Sequence, residues 1–234
     1  MLSKKELAIA GFYDSIYHFY GLANSFLTFG LDRWWRTAAS KTARSSAPAA
    51  LNALDACCGT GDFSLALKKA YGPGLKLTGA DLSAAMLSAA KKNNPGMKFI
   101  QAEAKALPFP ACSFDLLTIA FAARNLNIDR ERMLAALREF RRVLKPGGLF
   151  LCLETTRPEN PAVWLLMRIY VKTLIGLLNL LSPKSRSSYD FLKNTILVFY
   201  DADEFSALLE EAGFTGAAYK RLFPGAAAVH TARA

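Results

Sequence analysis

From Leu51 onward the chain alternates short apolar runs with helical segments, and this alternation constrains the fold more than any other feature. Strands separated by helices read as βαβ units, which build a parallel sheet covered by helices. The strand-like runs are Leu51–Ala56, Leu75–Ala80, Met97–Gln101, Phe114–Ala120 and Leu149–Glu154. Helical patterns lie between them near Asp62–Tyr71, Ser83–Asn93 and Arg130–Leu144. Lys145-Pro146-Gly147-Gly148 then predicts a sharp break before the fifth strand. Further on, Asp203–Ala212 reads as a helix closed by Gly213, and Thr215–Leu222 and Ala226–Ala232, joined through Pro224-Gly225, read as a hairpin. The expected fold is α/β: a doubly wound, mostly parallel seven-stranded sheet.

Ahead of this pattern lies an aromatic, helical region, Phe12 to Arg36, followed by Ser40–Ala50, a small-residue stretch that reads as a linker or a loose helix end. Four segments are expected within one domain: an N-terminal helical region (1–47), a core (48–155), a helical cap (156–200) and a C-terminal helix with strands (201–234).

Composition sets the outer limits. The 234 residues are 52% hydrophobic, enough for a sizeable core. With 29 basic and 19 acidic side chains the formal charge is +10, which favours anionic partners: nucleic acid, an anionic membrane surface or a charged ligand. A solvated basic surface gives the same number. The four cysteines (Cys57, Cys58, Cys112 and Cys152) form no C-x-x-C pair, and only His18 and His230 accompany them, so no metal site is expected. Met1 to Ala10 carries Lys4, Lys5 and Glu6 without an uninterrupted apolar core, which points to the cytoplasm.

Three strand ends carry the chemistry. The run Leu54-Asp55-Ala56-Cys57-Cys58-Gly59-Thr60-Gly61-Asp62 follows an apolar strand and opens a helix. Its glycines Gly59 and Gly61 flank Thr60 and let the backbone turn tightly against a ligand. The G-x-G-x-x-G spacing of a dinucleotide site is absent. Asp55 at the strand end is a poor neighbour for pyrophosphate and a good one for a cationic amino acid. Asp81 ends the second strand, 20 residues after Gly61, where its carboxylate could accept both hydroxyls of a ribose; the alternative is a helix N-cap. Met86 could lie on a purine ring or pack in the helix core. Glu103, with Ala104 beside it, follows the third strand, where a carboxylate could accept from an adenine amino group. Acids at three consecutive strand ends converge on the crevice where open parallel sheets bind ligands.

These segments resemble those of S-adenosylmethionine-dependent methyltransferases of the Rossmann-like class I. More narrowly, they resemble the ubiquinone/menaquinone-biosynthesis C-methyltransferases, over nearly the whole chain. The likeness is carried by Phe12-Tyr13-Asp14-Ser15-Ile16, Tyr20 to Asn24, Phe29-Gly30 and the Arg33-Trp34-Trp35 cluster. It continues through Asp55 to Asp62, Ala106-Leu107-Pro108-Phe109, Phe114-Asp115, Arg124-Asn125 and Arg142 to Gly148. It closes with Tyr189-Asp190-Phe191-Leu192, Ala212-Gly213-Phe214 and the Gly225 to His230 tail. Gly21 and Ser25 stand where the family usually has acids, Phe121-Ala122-Ala123 replaces Phe-Gly-Leu, and Thr155-Thr156-Arg157-Pro158 replaces a Phe-Ser-Lys-Pro-like run. These departures fall near the expected substrate pocket. Cys57-Cys58 resembles the menaquinone-type members.

The resemblance implies S-adenosyl-L-methionine as cofactor and methyl transfer to a ring carbon of a prenylated hydroquinone, demethylmenaquinol first among them. It implies Asp55, Gly59, Thr60, Gly61, Asp81, Met86, Glu103 and Ala104 as cofactor-binding positions. Arg124 becomes a candidate to stabilise the phenolate, with Asn125 and Tyr20 orienting, although an arginine there could equally anchor the loop. His230 is expected as a satisfied core histidine. A substrate with an isoprenoid tail needs a dock, and Ala162 to Leu181 is almost wholly apolar over the roughly 20 residues a membrane span requires. Arg168 and Lys172, continued by Gly176 and Asn179, give it a polar face at helical spacing, so a cap helix or a helix lying on the bilayer fits better than a span. The expected setting is cytoplasmic, peripheral on the inner face of the plasma membrane, with a homodimer as a candidate assembly. Two readings compete: an O- or N-methyltransferase for another small molecule, and an RNA-binding or RNA-modifying protein. The first lacks a use for Arg124-Asn125 and the apolar cap. The second has only Trp34-Trp35 between Arg33 and Arg36, and no nucleic-acid partner is expected.

Overall fold

The computed structural model describes Gly11, residues 28–181 and residues 186–234. The described elements run α1 (Leu31–Ser46), β1 (Asn52–Ala56), α2 (Asp62–Tyr71), β2 (Lys76–Asp81), α3 (Ala84–Asn93), β3 (Lys98–Gln101), β4 (Phe114–Ala120), α4 (Ala123–Leu126), α5 (Arg130–Val143), β5 (Leu144–Thr155), α6 (Pro161–Leu181), α7 (Arg186–Val198), α8 (Ala202–Glu211), β6 (Thr215–Leu222) and β7 (Ala227–Arg233).

The seven strands form one sheet in the order β3-β2-β1-β4-β5-β7-β6. All neighbours are parallel except that β7 runs antiparallel to both β5 and β6. Sequential strands step outward from β1 in one direction to β3, then in the other from β4, so the order reverses between β1 and β4. Helices cover both faces, which is why β1, β4 and β5 carry near-continuous apolar runs instead of alternating ones. On one face α1 and α2 bring Trp35, Ala39, Phe63 and Leu67 against the sheet. On the other, α5 and α8 bring Met133, Leu137, Phe140, Phe205 and Leu209. The sheet and its doubly wound helices are those the βαβ pattern predicts.

One alternative is decided and one expectation changes. Of the two readings of the small residues after Ser40, the helix end holds and the linker does not: α1 continues to Ser46, with Ala39, Ser40 and Ala43 buried. Small side chains there let α1 approach the sheet and α2 closely. The glycine turn at Lys145-Pro146-Gly147-Gly148 lies inside β5 and does not precede it. The strand begins at Leu144, opposite Phe114, and the register with β4 shifts before Leu116. Gly147 accommodates this irregularity at φ 73°, and its N–H donates to the Ala234 carbonyl at 2.9 Å.

The hairpin expected near Pro224-Gly225 forms, with Tyr219 opposite His230 and Leu222 opposite Ala227. Trp35 ties α1 to it, its indole N–H donating to the Phe223 carbonyl at 2.9 Å. That places Trp35 in the core, away from any stacking role on a nucleic acid. His230 is 1% exposed, edge-on to Phe205 at 4.9 Å and 3.5 Å from Ser206 Oγ. Burial, helped by the Arg221 charge, pushes its pKa down to about 4.

The sign follows. The neutral ring stabilises the fold fully above the ordinary value of 6.5, and this stability is lost as pH falls toward about 4, because the unfolded chain takes up the proton first. Between pH 7 and pH 5 the expected loss from this group is about 2 kcal/mol. Urea unfolding of wild type and His230→Asn at both pH values isolates it. An equal pH dependence in the two proteins would rule out His230 as the source.

Candidate active site

The carboxyl ends of β1, β2 and β4 open into one cleft of about 1140 Å³, including the open space at its mouth. Its wall includes Asp55, Cys57, Cys58, Gly59 and Thr60 after β1, Asp81 and Met86 around β2, and Glu103 with Ala104 after β3. Phe121 and Asn125 close it beyond β4. Nearly every cofactor-binding position expected from sequence therefore meets here. Gly61 sits just behind the wall and supports the turn.

The turn is built by backbone bonds that only certain residues permit. Gly61 starts α2 at φ 81°, where a Cβ would come within 2.6 Å of Asn94 Nδ2. At Gly59, φ 53°, a Cβ would meet no atom within 4 Å, so the space before that backbone belongs to the cleft. Cys57 and Phe121 also hold positive φ, 52° and 55°, without being glycine. Strained backbone of this kind persists where a site over-determines it.

Asp81 does more than face the cleft. Its Oδ2 accepts from the Gly59 N–H at 2.8 Å and its Oδ1 from the Ser83 N–H at 2.9 Å, so it clamps the β1 turn to the start of α3. The helix cap is Ser83, whose Oγ accepts from the Met86 N–H at 3.1 Å. The N-cap alternative for Asp81 is thus taken by its neighbour. Met86 is 1% exposed, packed in the helix core as one alternative has it, and it also lines the cleft. Glu103 pairs with Lys105 at 3.1 Å at the rim.

Asp55 lies deepest, 1% exposed. It accepts from Ser64 Oγ at 2.5 Å and from Thr118 Oγ1 at 2.8 Å. Burial raises its pKa to about 6; the two hydroxyls and the Arg36 charge pull it back, while Asp81 pushes it further up. Its carboxylate is ionised at neutral pH and is favoured by any cation entering the cleft.

Asn125 reaches the cleft, but Arg124 does not line it. Arg124 is 4% exposed, with Nη1 on Glu154 Oε1 at 2.7 Å and its own N–H on Glu154 Oε2 at 3.2 Å. Its charge is met by a buried carboxylate at the end of β5, the contact that the loop-anchor alternative requires. Tyr20 lies outside the described residues. His230 is remote from the cleft and packed, as expected.

The sequence alone does not single out Ser64, Thr118, Glu154 or Arg36. Glu154 carried the same signal as the others, an acid ending a parallel strand. The two hydroxyl partners of Asp55 carried none, because they come from α2 and β4.

The glycine turn, the strand-end acids and the buried Asp55 carboxylate lie where strand order reverses, the place at which open parallel sheets bind their ligands. The family described as the ubiE/COQ5 methyltransferase family matches residues 1–234, and the chain belongs to it. A demethylmenaquinone methyltransferase of Staphylococcus aureus is 36% identical over 214 residues, 90% of this chain and 86% of its own length. Among solved structures, human N-acetylserotonin methyltransferase in complex with SAM shares the fold at TM-score 0.62 and 21% identity, covering 93% of this chain and 57% of its own. A SAM-dependent methyltransferase from Aquifex aeolicus does so at TM-score 0.51 and 18% identity, covering 78% of this chain and 81% of its own.

Removing one member of the Arg124–Glu154 pair leaves the other charge buried. Glu154→Leu is expected to cost about 3–5 kcal/mol, and the double variant with Arg124→Met to recover much of it. Urea denaturation checks this. A near-neutral Glu154→Leu would rule out the pair as an anchor of this part of the fold.

Proposed function

We propose that the protein methylates a ring carbon of a prenylated hydroquinone, demethylmenaquinol foremost, with S-adenosylmethionine as donor. The carrying observation is the shared cleft of Asp55, Gly59, Asp81, Met86 and Glu103, in a chain 36% identical over 214 residues to a demethylmenaquinone methyltransferase. The residues fit the donor: Asp55 would answer its cation, Asp81 would accept ribose hydroxyls, Met86 would pack on the purine and Glu103 would accept from its amino group. When bound, the donor supplies a methyl group already activated on a sulfonium.

The chain must then bring the acceptor carbon into line and favour its phenolate. Asn125 is placed to hold the hydroquinone oxygen. Arg124 acts through it, fixing the loop on Glu154. Arg124 stays protonated at any relevant pH, so removal of the phenolic proton is assigned to water in the cleft and not to the guanidinium. Tyr20 remains the proposed orienting partner from the N-terminal region.

An acceptor with an isoprenoid tail is met at a lipid surface, and α6 supports this. Val171 and Ile175 bury one side of α6 against Ile196 and Leu197 of α7. Leu165, Leu166, Ile169, Leu177 and Leu180 are 52–79% exposed. At about 100° per residue these five fall within one stripe of roughly 120°. Arg168 and Lys172 border it, positioned for phosphate headgroups. None of the α6 side chains lines the cleft. This supports a dock on the bilayer over a tail tunnel, on the cytoplasmic side of the membrane, where reduced thiols such as the four free cysteines belong.

The deciding experiment supplies labelled S-adenosylmethionine with reduced demethylmenaquinone, ubiquinol precursors or bulk RNA in detergent. Label in the demethylmenaquinol ring is the expected result; label in RNA alone, or in no quinol, overturns the reading. For the dock, Leu166→Glu with Leu180→Glu is expected to abolish co-sedimentation with vesicles containing phosphatidylglycerol while leaving the thermal midpoint unchanged. Retained co-sedimentation would dismiss α6 as the dock.

A further inference from the structure

The cleft has three basic side chains on its wall: Arg36, Lys105 and Arg132. Lys105 pairs with Glu103, and Arg132 lies 3.4 Å from Asp129, both near the mouth. Arg36 is different. Its side chain is 11% exposed, it pairs with Asp32, whose side chain is 5% exposed, and its guanidinium carbon lies 5.4 Å from the centroid of the Phe121 ring. It also sits on the wall shared with a neighbouring groove between α1 and α2.

Arg36 is thereby held from two sides while still facing the cleft. A guanidinium carries five donors in a fixed fork, and Asp32 engages it through Nη1. Asp55 lines the same cleft. The wall therefore presents a cation as well as an anion. An α-amino acid carries its ammonium and carboxylate on one carbon and needs both. The rest of the cleft, toward Asp81, Met86 and Glu103, is acidic and apolar and suits a nucleoside.

We infer that Arg36 is the carboxylate clamp for the amino-acid end of S-adenosylmethionine, with Asp32 and Phe121 as its positioning residues. The inference rests on the methyltransferase reading and adds a binding residue on α1, outside the strand-end motifs. It also gives Phe121 a reason for its positive φ, since that backbone sets the ring beneath the guanidinium. Asp32 fixes the fork one helical turn away, and Trp35, next in sequence to Arg36, anchors α1 on the hairpin.

The test is calorimetric binding to the full chain of S-adenosylhomocysteine and, separately, of decarboxylated S-adenosylmethionine, which keeps the ammonium, sulfonium and nucleoside. Arg36→Met preserves the aliphatic stem and is expected to weaken S-adenosylhomocysteine by about 10–100-fold, the range for a hydrogen bond to a charged group. Binding of the decarboxylated ligand should be unchanged. Arg36→Lys, with charge but no fork, should fall between. If Arg36→Met proves unstable, the ratio of the two affinities in Arg36→Lys against wild type carries the same information. Equal losses for both ligands would overturn the clamp in favour of a packing role, and no loss for either would overturn it outright. Failure of the wild type to bind either nucleoside would instead bring down the methyltransferase reading on which it stands.

Discussion

The site is organised around a carboxylate placed where water cannot reach it. Asp55 ends β1 at the reversal of strand order, and ionising a group that is 1% exposed is costly unless donors surround it. Ser64 from α2 and Thr118 from β4 supply those donors, so the same two bonds that make the charge tolerable also stitch α2 to two neighbouring strands. The compensation is partial, which is why the pKa stays raised at about 6 and the group retains an appetite for a cation. A wholly satisfied aspartate would hold the fold equally well and attract nothing.

Asp81 extends the same economy of parts to the turn. The Gly59 N–H it accepts and the Ser83 N–H it accepts belong to two different strand–helix connections, so one carboxylate sets their spacing. The Asp81 charge adds to the cost of ionising Asp55. A cleft holding two such acids is poorly suited to phosphate and well suited to a positively charged nucleoside. The absence of the G-x-G-x-x-G spacing is the counterpart of this in the sequence.

How far the sequence reveals this depends on the range of the interaction. Strand and helix periods are local, and β4, α2 and β6 fall on the expected residues. The alanine- and serine-rich end of α1 is ambiguous because small residues suit both loose linkers and tight helix contacts; only the burial of Ala39 and Ala43 by partners across the fold distinguishes them. Arg124 is ambiguous for a related reason. Its partner Glu154 lies 30 residues away, and a pair buried to 3% and 0% is invisible until β4 and β5 are set side by side. Asp81 and Gly59 were legible because a strand end followed by a glycine turn has one plausible geometry on a parallel sheet.

Two departures from the family pattern lie among the described residues, each at the end of a strand. Residues fixed by the sheet, such as Asp55, Asp81 and Glu103, each terminate or follow a parallel strand whose neighbours hold it in register. Phe121-Ala122-Ala123 and Thr155-Thr156-Arg157-Pro158 begin where β4 and β5 run out into helices and loops, so changes there reshape the approach to the cleft without shifting the strands. Phe121 shows the limit of that freedom. It is 5% exposed, packs 6.1 Å from Trp35 and lies under Arg36, so two side chains of α1 depend on one ring. Ala122, in contrast, puts only a methyl group on the cleft wall that Asn125 also lines. A methyl transfer from a sulfonium to a phenolate cancels two opposite charges as it proceeds, and a cleft lined largely by apolar surface favours that cancellation over the separated ions. A change of apolar side-chain size on such a wall alters the space for an acceptor while leaving the electrostatic basis of the transfer in place.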